Sequence, residues 1–135
     1  MATPKLTPPK LTPVELKIMD VLWSRGPSSV RDVHEQFPEE GRPAYTTVQT
    51  MLYRLEKKKA VRRAGKVSWA FIFEAAVSRD AAQGRVVEDA LDVFGGRAQP
   101  LVAHLIESGK LTLKDVQEAE ALLRELAEKK KTRKG

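Results

Sequence analysis

The chain contains no cysteine, and this absence excludes several classes of function. Without thiols there is no disulfide, no thiolate nucleophile and no cysteine-based zinc, iron–sulfur or copper site. Aromatic residues make up only 6% of the 135 residues, and no apolar run approaches the length of a membrane-spanning helix. The N-terminal residues also lack the apolar core of a signal peptide. We therefore expect a cytoplasmic protein that does not insert into a membrane.

Residues that carry catalytic chemistry are equally scarce. His34 and His104 are the only histidines, and neither has carboxylates around it at the spacing of a metal site. We interpret both as surface or packing residues. The sequence contains no glycine-rich phosphate loop, nucleophile elbow or paired-carboxylate motif. We expect no metal, no cofactor and no enzymatic activity.

Positive charge is present in excess and is concentrated in one segment. The net charge is +6 at pH 7, and residues 54–66 account for all of it, with seven basic residues against the single acid Glu56. The basic residues are Arg54, Lys57, Lys58, Lys59, Arg62, Arg63 and Lys66. Such a run often only keeps a surface soluble. On an otherwise balanced chain, a local cationic patch indicates a polyanionic partner.

The segment that follows a loop over residues 38–43 predicts an amphipathic helix with a polar outer face. At about 100° per residue, Met51, Leu52 and Leu55 share the face of Val48. The polar side chains that face outward or flank that face are Thr46, Thr47, Gln49, Thr50, Tyr53, Arg54 and Lys57. Side chains of these types reach base edges and phosphates in DNA complexes. An ordinary helix with a solvated face is the alternative.

A basic β-hairpin is expected directly after this helix. Residues 61–63 predict its first strand, a turn falls near Gly65, and residues 69–73 predict the return strand. Three aromatic residues alternate along the return strand: Trp69, Phe71 and Phe73. We expect this shared face to cover the helices, with stacking on bases as the alternative. A helix followed by a basic hairpin is the order of a winged helix.

Capping signals define the helices that precede this unit. Thr12 and Glu15 form a capping box with Pro13 at the first helical position, and residues 25–27 end the first helix. Ser28 and Ser29 predict a short strand and the cap of a second helix, which ends at Pro38.

The C-terminal part predicts three helices, over residues 78–94, 98–107 and 112–129, each with an apolar stripe. So small a unit has little core of its own, and a two-fold dimer would bury the stripes. A monomeric helical cap is the alternative. The residues expected at the dimer interface are Val87, Leu91, Phe94, Leu101, Leu105, Val116, Leu123 and Leu126.

These elements together predict a mainly α fold, with an N-terminal winged helix-turn-helix, a small β-wing and a C-terminal three-helix dimerisation domain. We expect a flexible tail over residues 1–11 and a DNA-binding domain over residues 12–76. A dimerisation domain over residues 77–129 and a basic tail over residues 130–135 complete the chain.

Two segments carry a resemblance to a known family: residues 11–23, LTPVELKIMDVLW, and residues 45–58, YTTVQTMLYRLEKK. With the aromatic wing, they make the chain similar to the penicillinase-repressor (BlaI/MecI/CopY) family of bacterial transcriptional repressors, over roughly residues 11–126. The resemblance implies a homodimer that represses by occupying a palindromic operator of β-lactamase-type or related stress genes.

The resemblance and the helix geometry together provide the candidate DNA contacts. The candidates for base and groove contacts are Thr46, Thr47, Gln49, Thr50, Tyr53 and Arg54. The candidates for phosphate contacts are Lys57, Lys58, Arg62, Arg63 and Lys66. A winged-helix module that binds a protein, or a non-specific nucleic-acid binder, would use the same surface and remains an alternative.

The sequence departs from the family pattern in two places. Copper-responsive members carry a C-terminal cysteine cluster, which is absent from this chain. In β-lactam-responsive members a membrane sensor protease triggers cleavage at an Asn-Phe bond, and this chain has His104-Leu105 near that position. A sensor protease is therefore an open question among the partners, beside operator DNA and a second copy of the chain.

Overall fold

The computed structural model describes residues 8–134. Its elements are α1 (Pro13–Arg25), α2 (Val30–Gln36), α3 (Tyr45–Lys57), β1 (Val61–Val67), β2 (Ala70–Ala75), α4 (Arg79–Val93), α5 (Ala98–Glu107) and α6 (Leu113–Lys134). The mainly α fold with one small hairpin agrees with the prediction. The chain divides into two compact units, Met1–Asp89 and Ala90–Gly135, so that most of α4 belongs to the first.

The first two helices begin where the sequence predicts. Thr12 Oγ1 accepts a hydrogen bond from the Glu15 backbone, and the Glu15 carboxylate accepts one from the Thr12 N–H, which completes a capping box. Ser29 and Asp32 form the same arrangement at α2. The short strand expected at Ser28 is a single bridge, in which Ser28 and Phe73 exchange backbone hydrogen bonds of 2.9 and 2.8 Å.

The hydrophobic core of the first unit lies between α1, α2, α3 and the base of the hairpin. Its buried side chains are Leu11, Ile18, Met19, Leu22, Val30, Val33, Val48, Leu52, Leu55, Ala60, Val61, Phe73 and Ala82. Leu11 thus packs in the core, and the Pro8 carbonyl accepts a hydrogen bond from Arg85. Residues 8–11 of the expected flexible tail therefore lie against the first unit, while residues 1–7 fall outside the described part.

The hairpin differs from the prediction in its turn. The strands extend to Val67 and Ala70, so the reversal falls at Ser68 and Trp69 rather than near Gly65. Gly65 instead lies at a bulge, where the register shifts by one residue and the backbone φ is 146°. A glycine suits this conformation because it has no Cβ.

The expectation that all three hairpin aromatics cover the helices is wrong. Phe73 is 1% exposed and lies in the core, whereas Phe71 is 37% exposed and Trp69 is 92% exposed. The longer strands carry the hairpin tip beyond the helices, and Trp69 lies in the turn, outside the strand alternation. Only the base of the hairpin contributes to the core.

Two helices of the C-terminal half begin at caps that lie at the starts of their predicted ranges, residues 78 and 112. Ser78 Oγ accepts from the Ala81 N–H at α4, and Thr112 and Asp115 form a capping box at α6. Helix α6 continues to Lys134, beyond the expected end at Lys129, because its last residues are mostly good helix formers with no glycine or proline. No helix within residues 8–134 has the length and apolarity to span a membrane.

Candidate nucleic-acid interface

Helix α3 presents a polar face outward because its opposite face is locked in the core. Val48, Leu52 and Leu55 are buried, which fixes the rotation of the helix about its own axis. The candidate groove residues on the other side are exposed: Thr46, Thr47, Thr50, Tyr53 and Arg54. Gln49 lies half-buried at one edge, where its amide donates to the Tyr53 hydroxyl over 3.1 Å.

The loop before α3 is held by side chains that bond its backbone. Arg42 donates to the carbonyls of Phe37 and Glu35. His34 Nε2 lies 3.1 Å from the Pro43 carbonyl, and its ring packs edge-on against Tyr45. No side chain caps the first turn of α3. The start of the helix is therefore fixed in position, with N–H groups left for an anion beside the threonines.

Arg63 fixes the hairpin beside α3. Its Nε and Nη2 donate to the two carboxylate oxygens of Glu56 over 2.8 and 3.2 Å. The guanidinium carbon also lies 4.1 Å from the centre of the Phe71 ring and 5.6 Å from that of Tyr53. A two-point ion pair combined with ring stacking restrains both partners. Arg63 is thus a positioning residue for the wing, in addition to its candidate role at phosphate.

The cationic cluster divides into paired and unpaired residues. Lys58 donates to Glu15 Oε1 over 2.6 Å, and Arg62 donates to Glu74 over 2.8 Å. Within residues 8–134, Arg54, Lys57 and Lys59 form no ion pair. The Lys66 amine lies 4.5 Å from the Phe71 ring centre and has no acidic partner in that range. The unpaired cations are Arg54, Lys57, Lys59 and Lys66, and the sequence analysis did not single out Lys59 as a DNA contact.

The partner of Lys58 is a buried carboxylate. Glu15 is 1% exposed, and burial by itself would raise its pKa. Hydrogen bonds from Lys58 and from the Thr12 backbone outweigh burial and hold the pKa of Glu15 below its ordinary value of 4.5. The carboxylate is therefore ionised at neutral pH. Lys58 thus joins the end of α3 to the start of α1.

An aromatic cleft of about 220 Å³ separates α3 from the hairpin tip. Tyr45, Gln49 and Tyr53 line the helix side, while Trp69 and Phe71 line the hairpin side. The sequence analysis missed this cleft because alternation placed both hairpin aromatics in the core. A signal was present in the sequence, since Gly65 interrupts the alternation and is a common site of a bulge.

The predicted dimer residues form apolar surface that the single chain does not bury. Val87, Leu105, Val116, Leu123 and Leu126 are exposed, and Leu91, Phe94 and Leu101 are half-buried. No described residue from Ala90 to Arg133 is fully buried. The candidate cleavage position, His104-Leu105, lies inside α5 in helical conformation.

Helix α3 has a polar outer face and a buried side that fixes its rotation, and a cationic hairpin lies beside it. This arrangement defines a winged-helix DNA-binding protein. The match to a family model is more specific. The chain belongs to the penicillinase repressor family, whose model matches residues 11–125. The expected resemblance is thereby confirmed, and with it the assignment to a family of transcriptional repressors rather than of enzymes.

Two curated relatives agree with this assignment, and two solved structures are similar to parts of the chain. The chain is 37% identical over 127 residues to "Transcriptional regulator BlaI" of two Mycobacterium tuberculosis strains, which covers 92% of this chain and 86% of the relative. The solution structure of Bacillus licheniformis BlaI in complex with the blaP half-operator is 24% identical, with a TM-score of 0.47 over 55% of this chain and 89% of that one. A MarR mutant from E. coli is 18% identical, with a TM-score of 0.47 over 87% and 78% of the two chains. The family assignment rests on the sequence matches.

Proposed function

We propose that this repressor acts as a homodimer that occupies a palindromic operator, with one α3 in each of two successive major grooves. The observation that carries the proposal is the outward face of α3, held in place by its buried side and by Arg63 of the wing. In a two-fold dimer of this class, the helices enter half-sites about 34–36 Å apart.

Sequence choice would reside on the exposed face of α3. Arg54 extends from this face without an ion-pair partner among the described residues, so its guanidinium is available for a base edge. Thr46, Thr47 and Thr50 offer hydroxyls and methyl groups at the same surface. Gln49 and Tyr53 bond to each other, and we propose that this pair contacts the groove edge nearest the wing.

Affinity would come from cations at phosphate. We propose Lys57 and Lys66 as the main phosphate contacts, because neither is engaged by an acid within residues 8–134. Arg62 and Arg63 remain candidates that would exchange their carboxylate partners for phosphate on binding. We assign Lys58 a structural role on the basis of its contact with Glu15.

The dimer would form through the apolar side chains of the C-terminal helices, most of which remain exposed within residues 8–133. We propose the interface residues named above, Val87 among them on α4. Relief of repression through a sensor protease would require α5 to unwind around His104-Leu105, because a protease binds its substrate in extended form. We propose that any protease-dependent relief of repression begins with the unwinding of α5.

Fluorescence anisotropy on duplex DNA from upstream of the chain's own gene tests the proposal. We expect the native duplex to bind about 10³-fold more tightly than a scrambled duplex of equal length. Arg54→Ala should lower specific binding by ~1–3 kcal/mol because it removes a base contact. Arg124→Ala, which removes the same charge from an exposed position of α6, is the matched control and should leave binding unchanged.

Other outcomes of the same experiment would favour the alternatives. Equal, strongly salt-dependent binding to both duplexes would indicate a non-specific nucleic-acid binder. If the protein bound neither duplex even at low salt, the cationic wing would instead be a binding surface for a protein partner. An Arg54→Ala variant with unchanged operator affinity would remove Arg54 from the interface.

A further inference from the structure

Trp69 at the tip of the wing combines two features that are unfavourable in a folded protein. Its side chain is 92% exposed, so the ring contributes little to packing. Ser68 and Trp69 both have positive φ, of 48° and 70°, where glycine and asparagine are the residues that hairpin turns prefer. A bulky side chain at positive φ is an outlier that the surrounding structure must hold in place.

The surroundings of Trp69 are cationic and aromatic. Lys66 has no acidic partner within residues 8–134 and lies against Phe71, whereas Arg62 and Arg63 are paired with Glu74 and Glu56. Trp69 also lines the cleft whose opposite wall is Tyr45 and Gln49 of α3. The hairpin tip is therefore attractive to a polyanion and lies on the wing side of the face that carries the candidate DNA contacts.

The hairpin tip lies well outside the core. Phe73 is anchored in the core, and Trp69 lies four residues further along the hairpin. Because a strand advances about 3.3 Å per residue, the tip lies roughly 13 Å beyond this anchor. The minor groove of B-DNA is only about 6 Å wide and adjoins the major groove across one phosphate strand.

We propose that Trp69 enters the minor groove beside the half-site and packs there as an apolar wedge. This inference rests on the proposed function and adds a contact that the candidate residues did not include. A large apolar side chain in the minor groove gains contact with sugars and partly unstacked bases. The indole N–H also finds acceptors on A·T pairs, whereas the guanine amino group obstructs the groove at G·C pairs. Trp69 therefore favours A·T pairs in the flank.

Substitution of Trp69 by glycine separates this role from a structural one. Trp69→Gly should raise the melting temperature, because glycine adopts the observed φ without strain and little packing is lost. The same variant should lose about tenfold in operator affinity, because a stacked aromatic contact is removed. Val67→Ala, at an exposed apolar position beside the turn, is the matched control and should bind within about twofold of the parent protein.

Modified DNA tests the groove with the unaltered protein. In an operator located by footprinting, 2,6-diaminopurine replaces adenine at the positions that flank the half-sites, which adds an amino group to the minor groove alone. The parent protein should lose affinity for this duplex, whereas Trp69→Gly should bind both duplexes equally.

The outcomes distinguish this inference from the function on which it rests. Operator binding by the parent protein with no loss in Trp69→Gly would overturn the role of Trp69 and leave the repressor intact. Equal losses on the modified duplex for both proteins would also overturn it. A fall in the melting temperature of Trp69→Gly would assign Trp69 to structure instead. Failure of the parent protein to bind any operator duplex would contradict the proposed function itself.

Discussion

Two adjacent lysines at the end of α3 have different surroundings, although the sequence gives no reason to distinguish them. Lys58 donates to the buried carboxylate of Glu15 and to the Lys10 carbonyl. Lys57 is exposed and makes no ion pair within residues 8–134. At the scale of single residues, the cationic segment therefore contains both a lysine paired with a buried acid and an exposed, unpaired one, and their order along the chain does not reveal which is which.

Lys58→Met should destabilise the fold by about 1–3 kcal/mol, because it leaves Glu15 buried without its charged partner. Since Lys58 helps to hold the pKa of Glu15 below 4.5, the stability from this contact is complete above that pH and is lost as the pH falls through the folded-state pKa. In the variant Glu15 loses a partner that lowers its pKa, so its pKa rises and the protein gains less stability between low and neutral pH than the parent does. Urea unfolding from roughly pH 3 to pH 7 measures both effects.

Lys57→Met is the matched control for that substitution. It should change stability by no more than about 0.5 kcal/mol while reducing the salt dependence of operator binding by about one ion. The opposite result, with Lys57→Met unstable and Lys58→Met defective only in DNA binding, would exchange the two roles.

At the scale of elements, the wing depends on a glycine where the strand pairing shifts. Gly65 has a φ of 146°, and the pairing with β2 shifts by one residue between Arg63 and Gly65. The shift lengthens the strand by one residue and directs the hairpin tip. Arg63, just before the bulge, then holds the wing against Glu56 of α3. The orientation of the wing thus depends on a backbone irregularity together with one ion pair.

Gly65→Ala should destabilise the protein by about 1–3 kcal/mol and weaken operator binding, because a Cβ is strained at this φ. Space is not the limiting factor, since a Cβ at this position would meet no atom within 4 Å. Gly84→Ala provides the control. That glycine lies inside α4 without positive φ, so its substitution should stabilise by about 0.5–1 kcal/mol. Equal effects of the two substitutions would argue against strain at the bulge.

The elements that the sequence predicted well begin with local signals. Thr12 forms the predicted capping box and Ser29 caps its helix as predicted, because a cap depends on residues only a few positions apart. The burial of Val48, Leu52 and Leu55 likewise follows from helical periodicity. These features need no knowledge of the rest of the chain.

The errors arose where a distant partner or a backbone irregularity decides the outcome. The turn was misplaced because Gly65 carries a bulge rather than a reversal, and Trp69 was consequently placed in the core. Likewise, no sequence pattern predicts the ion pair of Lys58 with Glu15, which is 43 residues away in the sequence. Neither a bulge nor a long-range ion pair produces a periodic pattern in the amino-acid sequence.

At the scale of the whole molecule, the two units differ in how completely they bury their apolar residues. The first unit has a continuous core, whereas in the second the apolar side chains of α5 and α6 remain in part or fully exposed. Exposed apolar surface of this kind marks an association site in a folded protein. We therefore expect the second unit to reach its stable form only on association.

Leu123→Glu should shift the protein towards the monomer, because it places a charge on an apolar side chain that is 67% exposed in the single chain. Sedimentation velocity distinguishes the monomer from the dimer by mass. Binding to the full operator should weaken, while binding to a half-site duplex should be unchanged. Ala121→Glu, on the opposite side of α6 by helical position, is the control and should remain dimeric. A dimeric Leu123→Glu variant would place the interface elsewhere.

The bridge between Ser28 and Phe73 has a consequence for the order of synthesis. Phe73 fills the core beside α1 and α2, and it comes from the hairpin that follows α3. While the chain grows on a ribosome, the first three helices emerge before the residue that completes their packing. Their apolar sides stay open until the return strand has left the exit tunnel. Folding of this unit is therefore completed late, and a nascent chain that stops within the wing exposes a surface that chaperones bind.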